Sequence, residues 1–286
     1  MLFTDCHTHT VNSPDGLMTA EEAVQAALKI GLDVIALTDH CEANRFFSSA
    51  HYGASPGDYK FDIYDYSIPF ERSMRDNTLA KNRNEGKITV LCGIELGQAT
   101  FDEGLAESIA SDKRLDFVIA SMHQIPDKKD YVSEDFAFMD YGKVDVQTAL
   151  REYFGELYKL CRWGKFDALG HLTYTLRYIE GEWGLKPDMS EYEGVIRDCF
   201  KLLAQKGLGI EINTSGLRQK YGKTFPDLSY IKMFREAGGE IVTLGSDAHN
   251  TADLSKGIKE GAELALAAGF KRICYFKERK PYFADI

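Results

Sequence analysis

Asp33-Val34-Ile35-Ala36-Leu37-Thr38-Asp39-His40 is the stretch from which the fold can be read. Its apolar run shows no in-out alternation, which is the pattern of a strand buried on both faces, and it breaks off into polar residues. Upstream, Thr19-Ala20-Glu21-Glu22 has the spacing of a capping box, apolar residues recur at helical period to Ile30, and Gly31 supplies the stop. The same grammar then repeats. Thr89 to Cys92 runs into Gly93-Ile94-Glu95, Phe117 to Ala120 into Ser121-Met122-His123, and Phe166 to Leu169 into Gly170-His171. Gly209 to Ile212 precedes Asn213, and Ile241 to Leu244 precedes Gly245-Ser246-Asp247-Ala248-His249, while Ile273 to Phe276 reads as a last strand. Helix-length stretches lie between, at about 103–112, 146–163, 190–206, 227–237 and 253–268, several closed by glycines. Strand and helix alternating seven or eight times without a linker predict one α/β domain over 1–286. A closed or nearly closed β/α barrel accommodates that many parallel units better than an open sheet.

Two stretches interrupt the rhythm. Residues 41–88 are too long for one crossover and carry an aromatic, acidic segment from Tyr52 to Tyr66 before a helix expected from Ser67 to Asn82. Residues 124–145 are similarly rich in aromatic and aspartate residues. Insertions after barrel strands lie over the active face, so both are candidates for a substrate lid.

Composition narrows the function. With 44% apolar residues the chain can build a full core, and its net charge of -10, with no basic run longer than Lys128-Lys129, opposes nucleic acid or an anionic membrane as main partner. No apolar run approaches the ~20 residues that span a bilayer, and no signal-like N-terminal segment precedes the first strand, which points to the cytoplasm. The six cysteines are scattered without a C-x-x-C pair, as expected of reduced thiols.

Chemistry concentrates in the histidines. His7 and His9 are two apart in an extended segment, so they face the same way and can grip one ion. Of seven histidines, six (His7, His9, His40, His123, His171 and His249) stand at or just after the C-terminal ends of expected strands, where a barrel gathers its active residues. Asp15, Glu95 and Asp247 occupy equivalent positions. Nine nitrogen and oxygen donors without a thiolate suit zinc, manganese or iron, and they are too many for one tetrahedral centre, so two to three divalent ions are expected. Such a cluster is net positive against three carboxylates and favours an anion such as a phosphate ester.

These motifs resemble, in full order, those of the polymerase-and-histidinol-phosphatase family: Asp5-Cys6-His7-Thr8-His9, Ser13-Pro14-Asp15-Gly16, Thr38-Asp39-His40, Gly93-Ile94-Glu95, Ser121-Met122-His123, Gly170-His171 and Gly245-Ser246-Asp247-Ala248-His249. Within it the chain is most similar to the stand-alone histidinol-phosphatases. The resemblance implies a distorted (β/α)7 TIM-like barrel with a trinuclear site at the C-terminal ends of its strands. It places His7, His9, Glu95 and Asp247 on one ion, Glu95, His123 and His171 on a second, and Asp15, His40 and His249 on the third. Asp39 is expected to support the ligands rather than bind.

No G-x-S-x-G elbow is present, and Cys6 and Cys41 lie outside any C-x5-R phosphate loop, so both are expected to be buried apolar residues. The nucleophile is then water bridged between metals as hydroxide, attacking phosphorus in line. Phosphate also favours planar bidentate arginine, and Arg177 and Arg218 lie in loops after His171 and Asn213 on the expected active face. The family resemblance, in Thr175-Leu176-Arg177-Tyr178 and in Glu211 through Arg218, gives both arginines the substrate phosphate. His51, in the first insertion, receives no role. The leading expectation is a phosphomonoesterase for L-histidinol phosphate, in histidine biosynthesis. Alternatives are a phosphoesterase of the same family for another small phosphorylated metabolite, such as a nucleotide or sugar phosphate, and a metal-binding protein without turnover.

Overall fold

The computed structural model describes residues 2–43, 67–126 and 133–286. The helix expected at the front forms as α1 (Ala20–Ile30), with the Thr19 and Glu22 side chains capping each other's backbone N–H groups and Gly31 closing the C-terminus at φ 85°. Further helices are α2 (Ser67–Arg83), α3 (Glu103–Ala110), α4 (Val146–Trp163), α5 (Glu193–Lys206), α6 (Leu228–Glu236) and α7 (Ile258–Ala267). The last begins five residues later than its apolar pattern suggests, because the segment before it is spent in turns and Gly257 takes φ 83° at the helix entrance.

Among the described residues, seven strands make one parallel sheet: β1 (Thr4–Asp5), β2 (Val34–Glu42), β3 (Thr89–Gly97), β4 (Phe117–Ser121), β7 (Ala168–Leu169), β8 (Gly209–Asn213) and β9 (Val242–Gly245). They lie side by side in chain order. The two edges meet where Cys6 N–H donates to the Leu244 carbonyl at 2.8 Å and Asp247 N–H to the His7 carbonyl at 2.8 Å, with Thr8 bridging to Ala248. The barrel expected from sequence is therefore present with seven strands, and both strand faces are dry. Val34 and Ala36 join the cluster inside it, and Ile35 and Leu37 join the one under α1.

The strand expected at 273–276 forms as β10 (Arg272–Lys277), but it does not enter the barrel. It pairs antiparallel with β11 (Lys280–Asp285) and closes the N-terminal end, where Phe276 stacks on Phe117 at 5.2 Å and Arg279 Nε donates to Asp167 at 2.6 Å. With that end sealed, the opposite end carries the chemistry.

The two insertions differ. The helix expected at 67–82 is α2, which belongs to the barrel wall: Ser73 Oγ donates to Asp39 at 2.6 Å and Lys81 Nζ to Asp116 at 2.7 Å. The aromatic segment 52–66 and His51 lie outside the described residues. From the second insertion, β5 (Gln124–Pro126) and β6 (Ser133–Asp135) form a short antiparallel pair at the active end. All six cysteines are free and buried, Cys6 and Cys41 included. No helix among the described residues is long and apolar enough to cross a membrane.

Candidate active site

Strand register assembles the site. His40, near the end of β2, lies directly opposite Glu95 on β3, so a parallel ladder alone brings an imidazole beside a carboxylate. His7 and His9 follow β1, His123 follows β4, His171 follows β7, and Asp247 and His249 follow β9. Asp247 sits at φ 54°, a left-handed conformation rare outside glycine. Strain of this kind is held in place by the surrounding structure and concentrates at functional sites. The turn after β1 presents Asp15 across from His40 and His249.

All nine residues singled out from sequence converge. His7 Nε2 and His9 Nε2 are 3.0 Å apart, and Asp247 Oδ1 lies 3.7 and 3.2 Å from them. Glu95 is the hub. Its Oε2 lies 2.8 Å from His40 Nδ1, 3.5 Å from His7 Nε2 and 3.6 Å from His9 Nε2, and its Oε1 lies 3.2 Å from His123 Nε2 and 2.7 Å from His171 Nε2. His123 and His171 face each other at 3.3 Å between their Nε2 atoms. Asp15 reaches His249 Nε2 at 3.1 Å and His40 Nε2 at 3.7 Å. His9 also stacks between His40 and His249, at 4.3 and 4.1 Å between ring centres, so it stands close to the third group as well as the first.

Electrostatics sort these groups by their neighbours. Burial lowers the His7 and His40 pKa values, but the surrounding carboxylates outweigh it and hold both well above the ordinary range. His123 is pushed up to about 10 in the same way, by Glu95 and Glu42 against burial. His9 goes the other way, to about 3, because burial and the neighbouring His249 and His40 disfavour its charge. Burial would raise Glu95 and Asp247, yet the imidazoles hold both well below the carboxylate range. The cluster stabilises anionic carboxylates beside His7, His40 and His123, whose imidazoles hold protons strongly when no metal replaces them.

The residues fit a divalent metal site. Glu95 Oε2 is buried, and three imidazole nitrogens crowd it at 2.8, 3.5 and 3.6 Å. That is an arrangement suited to a ligand oxygen. His7, His9 and Glu95 converge as one group of donor atoms, and Glu95, His123 and His171 as another, in keeping with a carboxylate shared by two ions.

Supporting residues surround the ligands. Asp39 accepts from Thr10 N–H at 2.6 Å, Ser13 Oγ at 3.0 Å and Ser73 Oγ at 2.6 Å, and Ser13 Oγ in turn meets His9 Nδ1 at 3.0 Å. The Asp39 oxygens are thus taken up by backbone and hydroxyl donors. Sequence reasoning gave no role to Glu42, Gln98 or Glu211. Glu42 Oε1 lies 3.7 and 3.6 Å from the Nδ1 atoms of His40 and His123, and Gln98 Nε2 donates to Oε2 at 2.6 Å. The signal for Glu42 was its i, i+2 relation to His40, the relation that exposed His7 and His9. For Glu211 it was a carboxylate in an otherwise apolar strand, where charge is buried only with a partner.

The ligands open into a cavity of about 260 Å³ that is also lined by Gln124, Asp135, Phe138, Tyr174, Arg177 and Tyr178. The second insertion thus borders the site. Arg177 lies at the start of a π-helical turn, Arg177–Glu182, with its guanidinium 5.1 Å from the centre of the Tyr178 ring. Tyr174 and Tyr178 pair through their hydroxyls at 2.9 Å. Arg218 is placed differently and does not line the cavity. It stands behind Asp247, Nη2 donating to the Asp247 carbonyl at 2.9 Å, while its buried Nη1 has no hydrogen-bond partner.

Comparison with known proteins adds three findings. The PHP domain family matches residues 5–215. Relatives include a "Probable histidinol-phosphatase" of Clostridium acetobutylicum, 28% identical with 97% of this chain and 98% of that one covered, and a histidinol-phosphatase of Lactococcus lactis, 25% identical with 96% and 95% covered. Among solved structures, the histidinol phosphate phosphatase of Lactococcus lactis in complex with zinc, L-histidinol and phosphate superposes with a TM-score of 0.74 at 23% identity, covering 98% of each chain. At that identity the likeness is one of fold.

Proposed function

The chain belongs to the PHP domain family, and from that premise we propose that it is a metal-dependent phosphomonoesterase acting on L-histidinol phosphate. The observation that carries the reading is Glu95, one buried carboxylate whose two oxygens face two separate imidazole groups. In this reading His7, His9, Glu95 and Asp247 hold one ion, Glu95, His123 and His171 a second, and Asp15, His40 and His249 a third. Divalent zinc, manganese or iron bound there would supply a water acidified toward neutrality as nucleophile, and positive charge for the phosphoryl oxygens.

The chain's own groups do the rest. Glu95 and Asp247 keep their charge at neutral pH because the imidazoles hold their pKa values down. Arg177 projects into the cavity beside Tyr178 and offers a planar donor to a phosphate. Arg218 would need to turn from the Asp247 carbonyl, or to bind through Nη1, to share that anion. The cavity of about 260 Å³ suits a small ester. Near-complete coverage of histidinol-phosphatases in both chains supports the substrate and one domain over 1–286.

The test is phosphate release from L-histidinol phosphate against a panel of sugar and nucleotide monophosphates, with zinc, manganese or iron supplied in turn. Highest kcat/KM on histidinol phosphate, lost on chelation, is the expected result. A preference for another monoester by tenfold or more would reassign the substrate, and turnover that survives chelation would defeat the metal reading.

A further inference from the structure

Glu211 lies inside the barrel on β8, almost fully buried, and both of its oxygens are engaged by hydrogen-bond donors. Oε1 is 2.6 Å from His7 Nδ1, and Oε2 accepts the His171 backbone N–H at 2.9 Å and Asn213 Nδ2 at 3.3 Å. Asn213 Nδ2 also lies 3.2 Å from Asp247 Oδ2. One carboxylate therefore touches, directly or through Asn213, the residues His7, His171 and Asp247 that follow β1, β7 and β9 and stand in both of the ion groups sharing Glu95. We infer that Glu211 is a positioning residue that fixes the tautomer and ring orientation of His7 and couples that ring to the His171 segment, so that it sets the affinity of the metal pair. The inference rests on the metal-site reading above.

The chemistry follows from the two faces of the imidazole. A carboxylate beside Nδ1 requires the proton on Nδ1, which leaves the Nε2 lone pair toward His9, Glu95 and Asp247, where an ion would be held. His7 is wholly buried, so no water can take over as acceptor. The space for this carboxylate is built into the strand beside it: a Cβ added at Gly245 would lie 2.1 Å from Glu211 Oε1 and 2.5 Å from His7 Cβ. Charge and shape both matter here. A glutamine in place of Glu211 has one acceptor oxygen for two sides that each present a donor, so either His7 or His171 would face an NH2 group.

The test is competition for zinc between a chromophoric chelator and the full chain, comparing wild type with Glu211→Gln. The expected result is about ten- to a hundredfold weaker binding in the zinc pair, the usual effect of removing a residue that orients a metal-bound histidine. A downfield imidazole N–H resonance of zinc-loaded wild type should shift upfield or vanish in the variant. Phe117→Leu, inside the same barrel but remote from the ligands, reports what mere loosening does. Unchanged zinc affinity in Glu211→Gln would overturn the inference, as would equal weakening in Phe117→Leu at a matched loss of Tm. Wild-type protein that takes up no zinc would overturn the metal-site reading itself, which distinguishes the two failures.

Discussion

Adding one methyl group at Gly245 should damage the site from behind, by crowding Glu211 and the Cβ of His7 rather than any metal-facing atom. The ideal Cβ of Gly245→Ala falls 2.1 Å from Glu211 Oε1, 3.2 Å from its Cδ and 2.5 Å from His7 Cβ, where ordinary contact needs well over 3 Å. Both neighbours are buried, His7 completely, so neither can swing into solvent. Overpacking of this kind costs about 1–3 kcal/mol. Moving Glu211 also breaks its short bond to His7 Nδ1, and a hydrogen bond to a charged group is worth about 1.5–3 kcal/mol. Together they predict a loss of roughly 2.5–6 kcal/mol, which for a chain of this length lowers Tm by about 4–10 °C. The assay is thermal unfolding of metal-free and zinc-loaded protein, with zinc content measured alongside. The zinc-loaded form should lose more than the metal-free form, because the displaced carboxylate orients a ligand. A Tm within about 2 °C of wild type in both forms, with full zinc content, would refute the reasoning, since it would mean that the strand yields without disturbing Glu211.

Gly155→Ala, in α4 with nothing within 4 Å of the added carbon, should instead raise stability by about 0.4–1 kcal/mol, read by the same unfolding assay. Glu95→Gln should lower metal content by more than Asp15→Asn does, because Glu95 faces two ligand groups and Asp15 one; elemental analysis showing equal loss would contradict the shared carboxylate. Arg177→Ala should keep metal and fold while lowering kcat/KM by roughly thirty- to a thousandfold, as expected of a donor that strengthens on the transition-state phosphoryl group, with Arg177→Lys recovering part. Zinc should stabilise more as pH rises from about 6.5 to about 10. Imidazoles with raised pKa values, such as His123 at about 10, contribute stability to the metal-free protein that is full below their ordinary pKa of about 6.5 and is lost as pH climbs through the raised one, and metal binding no longer competes with those protons. Tm of both forms across that range measures it, and a constant difference would count against proton and metal sharing the same nitrogens.

The barrel was legible because its signal is local and repeated. Apolar runs such as 34–37 and 117–120, alternating with helices, fit strands buried on both faces of a parallel sheet, and glycines at 31, 164 and 207 end the helices between them in left-handed geometry. The convergence of the nine candidate residues was legible for a related reason, since strand register converts position along the chain into position around a ring: His40 and Glu95 are far apart in sequence yet pair directly. What sequence did not reveal depends on side-chain reach across strands. The apolar neighbours of Glu211 hint that its carboxylate is buried, but its partner is not evident until Gly245 on the next strand is seen to leave it room, and nothing near Arg218 announces that the Asp247 carbonyl holds its guanidinium away from the cavity. The fate of the last strand was hidden likewise. Its apolar pattern matches a barrel strand, and only the tight turn at Glu278 and Arg279, both at positive φ, folds it back on itself, so that Phe276 plugs the end of the barrel opposite the histidines. That reversal seals the base of the barrel, while the strand ends themselves place the histidines at the opposite rim.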